Sequence, residues 1–230
     1  MSKDKVYIVG VGPGSSRYLT TEAQRVISEA SVVVGWELNF QPVKSLTAGK
    51  KVYLQDAGNY MQVVQEAANE ARKCQAPVAV LRVGDPCISS GLTGLLKVFH
   101  DFEVKIVPGI SSVQIAAAAA QINIDEAVII SFHESEEELE DKRGFMLDAF
   151  RRKRHLIIIT GLQQRPEETS RYLIDNGVSE DTAALVGENL TLDDEKIFCG
   201  TLRDVMARQF SWLSVMVVKR GMSDECFPYN

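Results

Sequence analysis

Apolar residues in the first hundred positions fall into short runs separated by stretches of helical period. Val6–Val9 is a β-branched run that closes on Gly10, the pattern of a buried strand. Behind it, Ala23, Val26, Ile27 and Ala30 recur on one helical face, and Thr20 or Thr21 stands where a cap belongs. Ser31–Trp36 and Lys51–Gln55 read as strands, Tyr60–Lys73 as a helix, and Pro77–Pro86 as a strand running into a loop. "GLTGLLKVF" predicts a further helix and Phe102–Gly109 a further strand. Strands that alternate with helices need crossover connections, so this half predicts a mainly parallel sheet.

The alternation continues through "AVIISF", a helix near Glu136–Phe150, "HLIIIT", a helix over Pro166–Asn176, "TAALVGEN" and a final "WLSVMVVKR". "KIFCGTL" follows "TAALVGEN" with no helix between them, which predicts antiparallel pairing in the second half. A boundary at Val107–Val113 leaves about half the strands on each side. The expected domains are therefore 1–110, with a mainly parallel sheet, and 111–230, with a mixed one. The acidic run "HESEEELEDKR" reads as a solvated helix: Ser135 caps it, glutamates fill its first turn, and Arg151–Arg154 lie at the far end, as the helix dipole favours. Leu139, Met146, Leu147 and Phe150 supply its apolar stripe.

Composition narrows the class. Hydrophobic residues make up 45% and charged ones 24%, as in ordinary globular proteins. A net charge of -6 and a pI near 5.2 argue against a general nucleic-acid binder, which needs a basic surface. No run approaches the roughly 18 apolar residues of a membrane span. "MSKDKVYIVG" enters a strand directly and leaves no room for a signal peptide, so the cytoplasm is expected. Cys74, Cys87, Cys199 and Cys226 are scattered without a C-x-x-C spacing. Reduced thiols are expected, with neither a disulfide framework nor a protein-bound metal.

Three loops then stand out at strand ends: "GVGPG" (Gly10–Gly14), "VGDPCISSG" (Val83–Gly91) and "VPGISS" (Val107–Ser112). In open parallel sheets, ligands gather at that carboxyl edge. A dinucleotide cradle fits the first loop badly. Gly14 comes one position early for G-x-G-x-x-G, Pro13 removes a backbone N–H, and "VVVGW" closes without an acidic residue to hold a ribose. A dehydrogenase or nucleotide-binding sensor is the alternative that would use this loop.

"GVGPGSSRYLT", "VGDP" and "VPGISS", in that order, resemble the tetrapyrrole methylases, the S-adenosylmethionine-dependent methyltransferases of the cobalamin and sirohaem pathways. "ITGLQQRPEE" (Ile159–Glu168) and "ALVGENLTLDDEKIFCGTL" (Ala184–Leu202) extend the resemblance over nearly the whole chain. The last stretch looks most like the branch that methylates C-5 of cobalt-precorrin-7. Another corrinoid carbon, a modified histidine on a protein, or ribosomal RNA is the alternative acceptor within the family.

The resemblance implies two α/β domains with the cofactor in a cleft between them, and a homodimer. It makes Gly84, Asp85 and Ile88 contacts of the methionine and sugar of S-adenosylmethionine, and Ser111 and Ser112 partners of its polar end. Thr160, Gly161, Val186 and Gly187 would wrap the adenine, although many relatives carry methionine where this chain has Thr160. Pro13, Gly14 and Arg17 would lie beside the entering tetrapyrrole. Arg82 and Arg165 are further candidates for its carboxylates, since guanidinium pairs well with carboxylate. His133, at the carboxyl end of a strand, is the candidate acid or base, although relatives read His-Gly where this chain has His133-Glu134. Each has a plainer alternative. Asp85 could cap a helix, His133 could be satisfied by backbone, and the arginines could be surface residues.

Overall fold

A computed structural model describes residues 5–74, 76–88, 91–133 and 138–220. The chain divides into two compact units, Met1–Ser111 and Ser112–Asn230. The first contains β1 (Lys5–Gly10), α1 (Thr21–Glu29), β2 (Val32–Trp36), α2 (Glu37–Phe40), β3 (Lys51–Gln55), α3 (Tyr60–Cys74), β4 (Val78–Arg82), α4 (Leu92–Val98) and β5 (Glu103–Val107). Its sheet has the order β3-β2-β4-β1-β5, and every pair is parallel.

Both faces of that sheet are covered, which is why β1, β2 and β4 are continuous apolar runs and not alternating ones. Val6, Ile8, Val78 and Val80 pack with Val63, Val64 and Ala67 of α3 and with Leu95 of α4. Tyr7, Val9, Ala79 and Leu81 pack on the other face with Ala23, Val26 and Ile27 of α1. Thr20 is the residue that caps α1, its Oγ1 accepting from Ala23 N–H at 3.1 Å.

The second unit contains α5 (Ser112–Ala120), β6 (Ala127–Ser131), α6 (Leu139–Arg151), β7 (His155–Ile159), α7 (Pro166–Asp175), β8 (Ala183–Glu188), β9 (Lys196–Thr201), α8 (Leu202–Met206) and β10 (Ser214–Val218). Its sheet has the order β6-β7-β10-β8-β9, with β6–β7 parallel and the other pairs antiparallel. Met146, Leu147, Leu173, Leu202 and Val205 of its helices pack on one face, with Leu139 and Phe150 partly buried beside them. α5 lies against β7, β8 and β10.

Two differences from the sequence reading have physical causes. α5 was not expected, because Ile115–Ala120 is apolar at every position and so shows no helical face. α2 and the short 3₁₀ turn Gln41–Leu46 are too brief to generate a period. The Ser135 cap, the helix start at Glu136, Glu134 and Cys226 lie outside the described residues.

Candidate functional site

Because the first sheet is parallel throughout, all five strands end at one edge. There the backbone continues pairing beyond the strands. Val11 N–H donates to the Arg82 carbonyl at 2.9 Å and Gly84 N–H to the Gly12 carbonyl at 2.8 Å. These bonds join the first loop to the "GDP" loop. Three glycines make the approach possible. A Cβ on Gly10 would stand 2.4 Å from the Gly84 carbonyl oxygen, and one on Gly109 only 2.2 Å from it.

Asp85 fixes the same corner. Its Oδ1 accepts from Cys87 N–H at 2.7 Å and its Oδ2 from Gly109 N–H at 3.0 Å. Ile88 N–H donates to the Asp85 carbonyl at 3.1 Å. Gly84, at φ +66°, faces Ser111, whose Oγ would lie 3.5 Å from an added Cβ. Gly84, Asp85, Ile88 and Ser111 are thus gathered around one loop junction. The carboxylate of Asp85 orders the turn through two backbone N–H groups. In the first loop Pro13 and Gly14 are buried, while Arg17 is exposed with its N–H on Ser15 Oγ at 3.3 Å.

A second group at this edge pairs Arg82, a candidate for the tetrapyrrole's carboxylates, with Tyr60. Arg82 closes β4 and is only 4% exposed. Its guanidinium donates to the Tyr60 hydroxyl and lies 4.8 Å from the centroid of that ring. Burial alone pushes its pKa down, to about 10. Tyr60 opens α3, and its ring also meets Trp36 at 6.3 Å between centroids. Gln55, at the end of β3, donates from Nε2 to the Tyr60 carbonyl at 3.2 Å. In the sequence Tyr60 is only the first residue of the α3 helical segment, and no local signal pairs it with Arg82.

In the second unit the sequence-derived residues also share one sheet edge. His133 lies two residues past β6, and its N–H reaches Ser131 Oγ at 3.4 Å. Its side chain lies at the surface, yet the surrounding protein disfavours the imidazolium and lowers its pKa, against a hydrogen bond to the Thr160 backbone. Thr160 is buried just after β7, where its hydroxyl meets Ser214 O and Ser214 Oγ, both at 2.8 Å. A Cβ on Gly161 would stand 2.0 Å from the Phe132 carbonyl oxygen. Gly187 precedes the last residue of β8, and an added Cβ there would meet Leu190 Cδ2 at 2.6 Å. Val186 is fully buried, its side chain part of the apolar core. Ser112 is the first residue of α5, and Arg165 stands at the N-cap of α7, its N–H on Glu168 Oε2 at 2.7 Å.

Among the described residues no group of three or more His, Cys, Asp or Glu side chains is placed to hold a metal ion. No helix there is long and apolar enough to cross a membrane.

Comparison with known proteins bears on the family and the fold. The family model described as Tetrapyrrole (Corrin/Porphyrin) Methylases matches residues 5–206. The chain is 34% identical over 213 residues to the probable cobalt-precorrin-7 C(5)-methyltransferase of Methanocaldococcus jannaschii, covering 92% of this chain and 96% of that one. It is 27% identical to the cobalt-precorrin-4 C(11)-methyltransferase of the same organism, covering 87% and 80%. Its fold matches the uroporphyrin-III C-methyltransferase of Thermus thermophilus complexed with S-adenyl homocysteine, at TM-score 0.76 and 23% identity over 94% of this chain and 92% of that one. Glycine-packed loops at a parallel strand edge, a matching family model over most of the chain and full-length relatives lead to one assignment: the chain belongs to the tetrapyrrole (corrin/porphyrin) methylases.

Proposed function

We propose that this S-adenosylmethionine-dependent C-methyltransferase methylates C-5 of cobalt-precorrin-7 in cobalamin biosynthesis. The observation that carries the choice of carbon is the full-length similarity to the M. jannaschii relative named for that reaction. The similarity to the C(11)-methyltransferase makes another corrinoid carbon the second reading.

The residues present suit the methyl donor. The donor supplies an activated methyl on a sulfonium, so the protein's tasks are to bind it, aim it and exclude water. The first unit offers closely packed backbone and small side chains at Gly84 and Ser111, with Ile88 on the same turn and the loop ordered by Asp85. We assign these residues to the donor together with Ser112, Thr160, Gly161 and Gly187. Val186, being a core residue, would act by fixing the strand that carries Gly187. Pro13, Gly14 and Arg17 are assigned to the tetrapyrrole. His133 is assigned as an acid or base. Desolvation lowers its pKa and favours the neutral ring, the form that takes up a proton; giving one would require the imidazolium. A homodimer in the cytoplasm completes the proposal.

The test is methyl transfer from labelled S-adenosylmethionine to cobalt-precorrin-7, with the new methyl located by NMR. Label at C-5 is the expected result. Label at another carbon of a different corrinoid, with none at C-5, would transfer the assignment to the second reading.

A further inference from the structure

Arg82 presents an unbalanced charge. Its side chain is nine-tenths buried, and its Nε has no hydrogen-bond partner among the described residues. A buried guanidinium without a counter-charge is a costly arrangement, which proteins ordinarily relieve with a carboxylate. None is supplied by the described residues. The acidic residue three positions on, Asp85, directs both oxygens to the N–H groups of Cys87 and Gly109. Among the described residues, Tyr60 meets the neutral indole of Trp36 on β2 and the neutral amide of Gln55 on β3. Gly91, at the start of α4, brings no side chain, and a Cβ there would stand 3.2 Å from the Tyr60 hydroxyl. Among the described residues, the ionisable group in contact with the guanidinium is the Tyr60 phenol.

We propose that Tyr60 is the counter-ion of Arg82, and that its phenolate is the proton acceptor at the carboxyl edge of the first sheet. The hydroxyl oxygen already accepts a bond from the guanidinium, so its own proton is the one free to leave. A cation in contact favours the ionised form of an acid, and the N-terminal end of α3 adds field of the same sign. The second half of this proposal rests on the methyl-transfer reading. When the acceptor carbon replaces its hydrogen by methyl, the C–CH₃ bond forms and the S–CH₃ bond breaks to leave a neutral thioether. The electron pair of the C–H bond returns to the macrocycle. The proton passes to the Tyr60 phenolate, giving the phenol, while Arg82 stays a guanidinium throughout.

Two measurements on the intact protein decide it. The first follows phenolate absorbance from pH 6 to 11 in the wild type, Tyr60→Phe, Arg82→Met and Arg82→Lys. One of the six tyrosines should ionise at a hydroxide concentration about tenfold or more below that of the others. That step should be absent in Tyr60→Phe, move upward in Arg82→Met and return in part in Arg82→Lys. Superimposable curves for wild type and Tyr60→Phe below pH 10 would overturn the proposal. Tyr60→Phe keeps the ring that meets Trp36, and calorimetric binding of S-adenosylhomocysteine reports whether each variant is folded. The second is single-turnover methyl transfer across pH. Tyr60→Phe should slow it about a hundredfold or more with donor-analogue affinity unchanged. A loss within about threefold would refute the proton-acceptor role, since acid–base help costs far more. A wild type that neither binds S-adenosylhomocysteine nor transfers methyl would refute the methyl-transfer reading, while the absorbance titration would still judge the ion pair.

Discussion

In the first unit five parallel strands all end at the edge where Gly10, Gly84 and Gly109 meet. In the second, β6, β7 and β8 end at their edge, but β9 and β10 begin there. The difference decides how each edge satisfies its polar groups. Where every strand leaves into a crossover, loops must bond to loops, and glycines let their backbones touch. Where one strand leaves and its neighbour enters, side chains can bridge them, as the Thr160 hydroxyl does to Ser214. The first edge also holds a buried cation, Arg82, whereas the buried Thr160–Ser214 pair of the second is neutral. A parallel edge therefore restricts residue size, and a mixed edge restricts residue polarity.

Substitutions at each edge test that contrast, and the largest effect belongs to the parallel one. Gly109→Ala drives a Cβ against a backbone oxygen that no rotamer change can remove. It should cost about 3 kcal/mol or more, read as a fall in the urea midpoint. A midpoint equal to wild type would mean that the loops separate freely. At the mixed edge, Thr160→Val keeps the shape and deletes two bonds of 2.8 Å. It should cost about 1–3 kcal/mol, while Thr160→Ser, which keeps the hydroxyl, recovers most of it. If Thr160→Val matches wild type while Thr160→Ser loses stability, methyl packing and not the hydroxyl holds that edge.

Asp85→Ala separates loop order from folding. It releases the N–H groups of Cys87 and Gly109, so calorimetry should register about tenfold weaker S-adenosylhomocysteine binding, with little change in melting temperature. Unchanged affinity would reduce Asp85 to a turn residue.

The smallest effect is a pH dependence at the second edge. The pKa of His133 is lowered in the folded chain, chiefly by desolvation, so the unfolded chain takes up its proton first. This contribution to stability is complete above the ordinary histidine value of about 6.5. It is lost as pH falls through the lower folded value. His133→Gln should flatten the decline in stability below pH 6.5, read as a shallower fall in urea midpoint with pH. Parallel pH profiles for the two proteins would show that other groups govern it.

Legibility in the sequence differed between elements and their neighbours. β1, β4 and β7 announced themselves as compact β-branched runs, and α1 and α3 as single apolar faces. α5 did not, because a helix covered on all sides has no face to display. At the site, Gly84 and Asp85 were marked by the loop motif, and the structure adds that the Asp85 carboxylate bridges to Gly109, 24 residues on. The Tyr60–Arg82 and Thr160–Ser214 pairs span 22 and 54 residues. Which strand ends become neighbours depends on sheet order, and no local pattern encodes that.

The order β3-β2-β4-β1-β5 also bears on how the chain is made. β1 is synthesised well before both of its partners, β4 and β5, the last ending at Val107. At about 5–20 residues per second a ribosome leaves it unpaired for roughly 5–20 s. During that interval "VYIVG" is a short β-prone, uncharged segment with two open edges, the kind that recruits other nascent chains. Lys5 beside it acts as a charged gatekeeper. Expression yield should therefore depend on elongation rate between β1 and β5 more than on the thermodynamic stability of the finished sheet.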